Sequence, residues 1–401
     1  MTIDQSKNDF LHPRHSYHGR VKPENLIFNS NLQEFAQKIS YICNLETAGK
    51  LPPEVAYRRI KSLWKELKKS KKERLLLAPL MLLTIATIVF LLLRATPGDP
   101  ADAILGTRAP EAAKAALRSQ LGLTDPLWQQ YLDYLKDLLS FNLGSSLSSR
   151  GLSVWSVIQE YFPATVELSF CSMVVAVIVG VLTGMVSAAS SNKFLDTGGR
   201  LFGIITYSLP LFWVGMVLQL IFAVNLNWFP LGTRFPVSAT TPPNITGLYI
   251  IDSLLAGDLG MLLNTIHYLA LPSLTLGLLL SGIFERIVRV NLKQTLKADY
   301  VEAARARGIA EKHILINHAL KNALIPVITV LGLTFSSLLG GAVLTEVTFS
   351  WPGLGNRLYE AISLRDYPTV QGVMVFFGII VVLASIAIDI INAYIDPRIR
   401  Y

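Results

Sequence analysis

Charge is scarce in this chain. Only 16% of its 401 residues are Asp, Glu, Lys or Arg, against 51% hydrophobic, whereas soluble domains carry about 25% charged residues. A large water-soluble enzyme is therefore a poor fit. Cysteine is scarcer still: Cys43 and Cys171 cannot build a disulfide framework, and neither has the spacing of a zinc site. Cys171 lies inside an apolar run and reads as a small core residue. The motifs of several chemistries are missing too. Gly49-Lys50 lacks the upstream glycine and the following Ser/Thr of a phosphate-binding loop, and neither H-E-x-x-H nor G-x-S-x-G occurs. No cofactor is expected.

What the chain does have is long apolar runs, nearly all of them beyond Leu75. Six are long enough to cross a hydrocarbon layer, which takes about 18 residues or more: Leu75–Leu93, Val166–Ala189, Leu201–Val224, Ala270–Val290, Ala323–Leu344 and Val370–Tyr394. The expected fold class is an all-α membrane protein with six transmembrane helices. The formal charge of +8 sits in loops flanking these runs. It reads as the positive-inside signature of a bilayer protein and not as a nucleic-acid surface. Lys65, Lys68, Lys69, Lys71, Lys72 and Arg74 precede the first run, Lys193 and Arg200 lie between the second and third, and Arg398 and Arg400 follow the sixth. Both termini are thus expected in the cytoplasm of a bacterial inner membrane, with the first run as an uncleaved anchor.

Residues 94–162 form a loop long enough to fold outside the membrane. Pro110 with Gly122 frames one helix, and Asp125-Pro126 opens another that repeats Leu127, Tyr131, Leu135 and Leu138. Pro210, Pro272 and Pro326 are expected to bend their spans. Glu167, Glu285 and Glu346 fall near predicted span ends, where the interface would solvate them; Asp389 is deeper, and His267 completes the short set of ionisable residues in or near the spans. A proton-driven carrier would show more such groups at the midplane.

Residues 1–73 are polar. Leu32, Phe35, Ala36, Ile39 and Cys43 share one helical face and Ile60, Leu63, Trp64 and Leu67 another, with Gly49, Leu51, Pro52 and Pro53 between them; a small helical hairpin is expected. His12, His15 and His18 lack an acidic or cysteine partner at fixed spacing and read as a solvated tail and not as a metal site.

The most basic loop, 291–322, contains Asp299-Tyr300-Val301-Glu302-Ala303-Ala304-Arg305-Ala306-Arg307-Gly308. Acids at the start, arginines in the last turn and a terminal glycine are the marks of a short helix. A second helix, from Glu311 to Asn322, is expected to follow it. Ala303, Ala304 and Ala306 give the first helix a small-residue surface that another protein could approach closely. Glu302-Ala303-Ala304-x-x-x-Gly308 resembles the EAA signature of the permease subunits of binding-protein-dependent ABC importers.

The resemblance extends over residues 74–401. Thr96-Pro97-Gly98-Asp99-Pro100-Ala101, Leu143-Gly144-x-Ser146-Leu147, Pro163-Ala164-Thr165-x-Glu167-Leu168, Ser208-Leu209-Pro210, Phe349-Ser350-Trp351-Pro352-Gly353-Leu354-Gly355, Arg365-Asp366-Tyr367-Pro368 and Asp396-Pro397-Arg398 are similar to the B-type permease of the dipeptide, oligopeptide and nickel branch. One departure is that the general Leu-Pro about ten residues past the glycine is absent, and the proline comes only at Pro326. The resemblance implies an ATPase-coupling loop at Asp299, Glu302, Ala303, Ala304, Arg307 and Gly308. It implies four partners besides the lipid bilayer: a second homologous permease as heterodimer mate, two ABC ATPase subunits and an extracytoplasmic substrate-binding protein. The implied substrates are di- or oligopeptides, with nickel chelates, glutathione or another small solute as alternatives. A self-sufficient carrier or a membrane enzyme is the rival class, told apart by independence from an ATPase.

Overall fold

The computed structural model describes residues 79–395 apart from single positions 97, 107, 121, 150 and 191. The expected N-terminal hairpin, His12, His15, His18 and Cys43 all lie outside the described residues. The chain divides into two compact units at residue 84. Of the first, residues 79–84 are described; they open helix α1 (Pro79–Ala95).

The described residues form helices and loops, with a single isolated bridge between Ser145 and Ser153. After α1 come three short helices, α2 (Pro100–Leu105), α3 (Glu111–Gln120) and α4 (Leu127–Leu139). Asp99 caps α2 by accepting the Ala101 amide, and Pro100 supplies the preset φ of a first turn. The expected helices in this stretch are present, opened by the anticipated Pro110 and Pro126.

Long α5 (Val154–Ala189) starts well ahead of the expected Val166, because Ser153 caps it through the Ser156 amide. Residues 154–162, expected as loop, are thus continuous with a span. Next are α6 (Lys193–Ser208) and α7 (Leu211–Asn225), which ends as a π-helix from Gln219. They were expected to be one span, yet they bend by 103°. Leu209 is extended and Pro210 cannot donate, so the helix stops and restarts. An irregular segment and α8 (Tyr249–Leu255) lead to α9 (Leu259–Thr295), capped by Asp258 on the Gly260 and Met261 amides. Pro272 sits inside α9 without ending it.

The polar hairpin follows as α10 (Asp299–Ala306) and α11 (Glu311–Ala323), the latter with a π-helical stretch Ile314–Leu320. A 49° bend at Leu324 and Pro326 joins it to α12 (Ile325–Leu339). Then α13 (Val343–Thr348), α14 (Leu354–Ser363) and α15 (Tyr367–Ile395) complete the chain. The helices α5, α9 and α15 are each long and apolar enough to cross a membrane, and the bent pairs α6 with α7 and α11 with α12 qualify together.

The central packing is between α5 and α9. Ala176, Gly180, Gly184 and Ala188 recur every fourth residue along one stripe of α5, which lets backbones approach as small-residue seams do in membranes. A Cβ at Gly180 would lie 2.5 Å from Phe284 Cβ and 2.7 Å from the Ser281 carbonyl, and one at Gly184 would lie 2.8 Å from the Glu285 carbonyl. From α9, Gly277 returns the fit, its would-be Cβ 2.7 Å from the Ser172 carbonyl. Because the obstructing atoms include backbone, Gly180→Ala is expected to cost about 1–3 kcal/mol as overpacking. Gly180→Leu should yield little folded protein. Both are read as monodisperse recovery in size-exclusion chromatography.

Candidate functional site

Three constellations stand out, one at each end of the bundle and one within it. The first is the α10–α11 hairpin between α9 and α12. Ala304 closes α10 with its carbonyl taking the Ile309 amide, while the Arg305 carbonyl takes the Gly308 amide at 2.9 Å. This double bond pattern is a Schellman ending, and it needs Gly308 at φ +75°. Ile309 then packs on Val301, Ala304 and Ile314, all buried. Arg305 ties the two helices by donating to Glu311 at 2.7 Å, and Asn322 of α11 donates to the Tyr300 hydroxyl at 2.8 Å.

Of the six residues expected to form the coupling loop, Asp299, Glu302, Ala303, Arg307 and Gly308 are exposed. Ala304 is not: it is 7% exposed and belongs to the hairpin's own core. The expected small-residue surface therefore reduces to Ala303 and Ala306, because the 3.6-residue period turns Val301 and Ala304 inward together.

The second constellation lies where α6 meets α9. Glu285 is fully buried and accepts from Arg289 at 2.8 Å; Asp196 of α6 accepts from Lys293 at 2.6 Å. Gly199 and Gly203 leave the room for this carboxylate, since a Cβ on Gly203 would come 2.7 Å from Glu285 Oε2.

The third lies at the end of the bundle away from the hairpin, and there the sequence blocks of 96–101, 143–147, 163–168, 349–355 and 365–368 come together. Glu346 is buried; Thr165 donates to it at 2.7 Å and the Asn356 amide at 2.8 Å. Trp351 donates its indole N–H to the Ala164 carbonyl at 2.9 Å. Glu167 accepts from Arg234 at 2.6 and 3.0 Å and from the Ile250 amide at 2.7 Å, both side chains of the pair being almost fully buried. The Arg234 guanidinium lies 3.7 Å from the Tyr249 ring centroid. Asp366 accepts from Ser146 (2.6 Å) and from the amide and hydroxyl of Ser148 (3.0 and 2.7 Å), while Arg357 reaches Ser148 and Ser149. Gly98 leaves space for the Arg365 guanidinium.

This corrects one expectation. Glu167, Glu285 and Glu346 are not solvated at span ends; each is buried against a donor. Arg234 carried no signal in isolation, since it falls in no long apolar run, and Ser146 and Asp366 entered only as members of separate resemblance blocks with nothing to pair them. Asp389 lies in α15, its side chain outside the described residues. His267, on α9, shares a hydrogen bond of 2.8 Å with the Trp228 carbonyl. Cys171 is partly buried against the main core. Among the described residues, no group of three or more His, Cys, Asp or Glu could hold a metal ion.

Burial pushes the Asp366 carboxyl upward, but the Ser146 and Ser148 hydroxyls and the Ser148 and Leu147 amides outweigh it and hold the group below the usual carboxylate range. Such a depressed group contributes stability above the unfolded carboxylate value, and the contribution is lost as pH falls through the folded one. Wild type is therefore expected to be more stable than Asp366→Asn at pH 7, the gap starting to narrow near about pH 4 and closing only once pH falls below the depressed folded-state value. Thermal midpoints across pH in detergent check this.

Apolar helices long enough for a bilayer, two bent spans and one polar hairpin between spans define a multi-span helical membrane protein. The chain belongs to the family of binding-protein-dependent transport system inner membrane components, whose model matches residues 180–401. A companion model for the N-terminal part of such membrane components matches 71–169, and one for a family of unknown function matches 21–77. The chain is 39% identical over 332 residues to the dipeptide transport system permease protein DppB of Alkalihalophilus pseudofirmus, covering 82% of this chain and 98% of that one. The di/tripeptide permease DppB of Pseudomonas aeruginosa is 40% identical, covering 79% of this chain and 94% of its own. The glutathione transport system permease protein GsiC of Pectobacterium atrosepticum is 36% identical, covering 80% and 95%.

Proposed function

We propose that this chain is the B-type permease of an ATP-driven importer for di- or oligopeptides. It forms half of the translocation path with a second, homologous permease. One of two ATPase subunits docks on the α10–α11 hairpin and the other on the second permease, and a substrate-binding protein delivers cargo at the opposite end. Both termini and the 1–73 extension lie in the cytoplasm, with 94–162 outside and 291–322 as the coupling loop.

The observation that carries this reading is the hairpin. It is fixed internally by its Schellman ending and the Arg305–Glu311 pair, and it continues directly into α9 on one side and α12 on the other. A push on the exposed face of Asp299, Glu302, Ala303, Arg307 and Gly308 is thereby delivered to two spans. The 36% identity to a glutathione permease supports a second reading, import of glutathione, itself a tripeptide.

The test is to tag the chain, extract it in mild detergent and identify copurifying subunits by mass spectrometry. The same preparation is then assayed for ATP-dependent uptake of labelled Ala-Ala and of glutathione. A second permease with two kinds of P-loop ATPase, or two copies of one, is the expected result. A chain that purifies alone and moves solute without ATP would overturn the proposal.

A further inference from the structure

The elbow between α6 and α7 interrupts the main chain at the middle of the spans. Its depth is set by α9. A Cβ added to Gly282 would meet the Thr206 hydroxyl and lie 2.9 Å from the Gly203 carbonyl, so the end of α6 packs directly on Gly282. That glycine sits near the centre of the apolar run Ala270–Val290. The break follows Thr206 within one turn. Leu209 and Pro210 are both extended, and no side chain caps the first turn of α7. Helix ends leave main-chain carbonyls and amides without helical partners, and here two such ends meet. Ser208 offsets a little of this by donating its hydroxyl to the Ile204 carbonyl at 2.8 Å.

Hydrocarbon cannot satisfy the rest. Irregular main chain at membrane depth persists only where protein covers it or where it lines a water-filled cavity. Nothing among the described residues covers this elbow: Tyr207 is 74% exposed, and Ser208, Leu209 and Pro210 are exposed too. Pro272 is the contrasting case, buried in α9 without ending that helix. The open surface is also chemically mixed. A phenol and a hydroxyl stand beside Phe212 and Trp213, which are about half exposed. Water and a peptide each bring donors and acceptors together, whereas acyl chains bring neither.

We propose that the elbow lines the translocation path, with Tyr207 and Ser208 as side chains that touch the passing solute, a short peptide. The inference rests on the peptide-importer reading and adds to it the stretch of this chain that faces the cargo.

The experiment places single cysteines in the full importer, in a background where Cys43→Ser and Cys171→Ala leave uptake intact. Tyr207→Cys and Ser208→Cys are compared with Ile178→Cys, which is 53% exposed near the middle of another apolar run but on an unbroken helix. In nanodiscs, a charged methanethiosulfonate reagent is expected to modify both elbow cysteines at least tenfold faster than Cys at 178. Ala-Ala, supplied with binding protein and ATP, should slow the reaction at Ser208→Cys at least threefold. In proteoliposomes, modified Ser208→Cys should lose uptake tenfold or more relative to the treated cysteine-free background. Elbow cysteines no more reactive than the one at 178, whether lipid or the second permease covers them, would overturn the inference, as would reaction that neither responds to Ala-Ala nor impairs uptake. Unmodified complex separates the two readings. Ala-Ala import with an unreactive elbow removes only the path assignment, whereas absence of ATP-dependent Ala-Ala import removes the peptide reading itself.

Discussion

Gly308→Val is expected to reduce ATP-dependent uptake at least tenfold while leaving membrane insertion and complex assembly at wild-type levels. The cause is conformational and not steric. No atom lies within 4 Å of the position a Cβ would take, but the residue sits at φ +75°. An L-residue in the left-handed region costs roughly 1–2 kcal/mol, and a β-branched one fits it worst. Relief of that strain unwinds the Schellman ending and draws Ile309 off Val301, Ala304 and Ile314, so the hairpin loses the internal fixing that lets it transmit a push. Asparagine tolerates this region, so Gly308→Asn should retain most transport. Uptake in proteoliposomes, normalised to assembled complex, ranks the variants. Wild-type uptake by the valine variant would remove the coupling role assigned to this turn.

Glu167→Gln should produce the largest loss of stability among single polar changes. Arg234 would be left as a buried cation whose two charge-assisted bonds, at 2.6 and 3.0 Å, end on a neutral amide. Breaking a buried pair from one side costs about 3–5 kcal/mol. The loss should fall on the segment between α7 and α9, because Arg234 also donates to the Gly247 carbonyl at 2.7 Å and Glu167 holds the Ile250 amide. Replacing both partners, as Glu167→Met with Arg234→Met, should recover much of that stability, since no unpaired charge then remains. Thermal unfolding followed by tryptophan fluorescence compares the three proteins. A single variant within about 1 kcal/mol of wild type would show that the pair does not anchor this segment.

Much of the architecture is visible in the sequence because apolar length and proline or glycine punctuation act locally. The α10 helix, its glycine stop and the two helices after Pro110 and Pro126 follow from neighbours a few residues apart. What escapes sequence reasoning is long-range pairing. Glu167 finds Arg234 in a polar loop, Glu346 meets Thr165, and Asp366 meets Ser146, each across a separation that no periodicity encodes. The start of α5 was misplaced for a local reason instead: the Ser153 cap, three residues from the amide it accepts, carries the helix ahead of the apolar run. The burial of Ala304 was unseen because it depends on Ile309 and Ile314 folding back onto α10.

The seam between α5 and α9 has a consequence for motion. Where a methyl group added to a glycine would already overlap a backbone carbonyl, the two helices lie close together and one has little room to slide along the other. The pair behaves as a single beam. Any rocking between inward- and outward-facing shapes must then be taken up at joints outside it. The 103° elbow between α6 and α7 and the 49° elbow between α11 and α12 are such places, and the second sits directly at the root of the polar hairpin, where a lever arm needs its fulcrum.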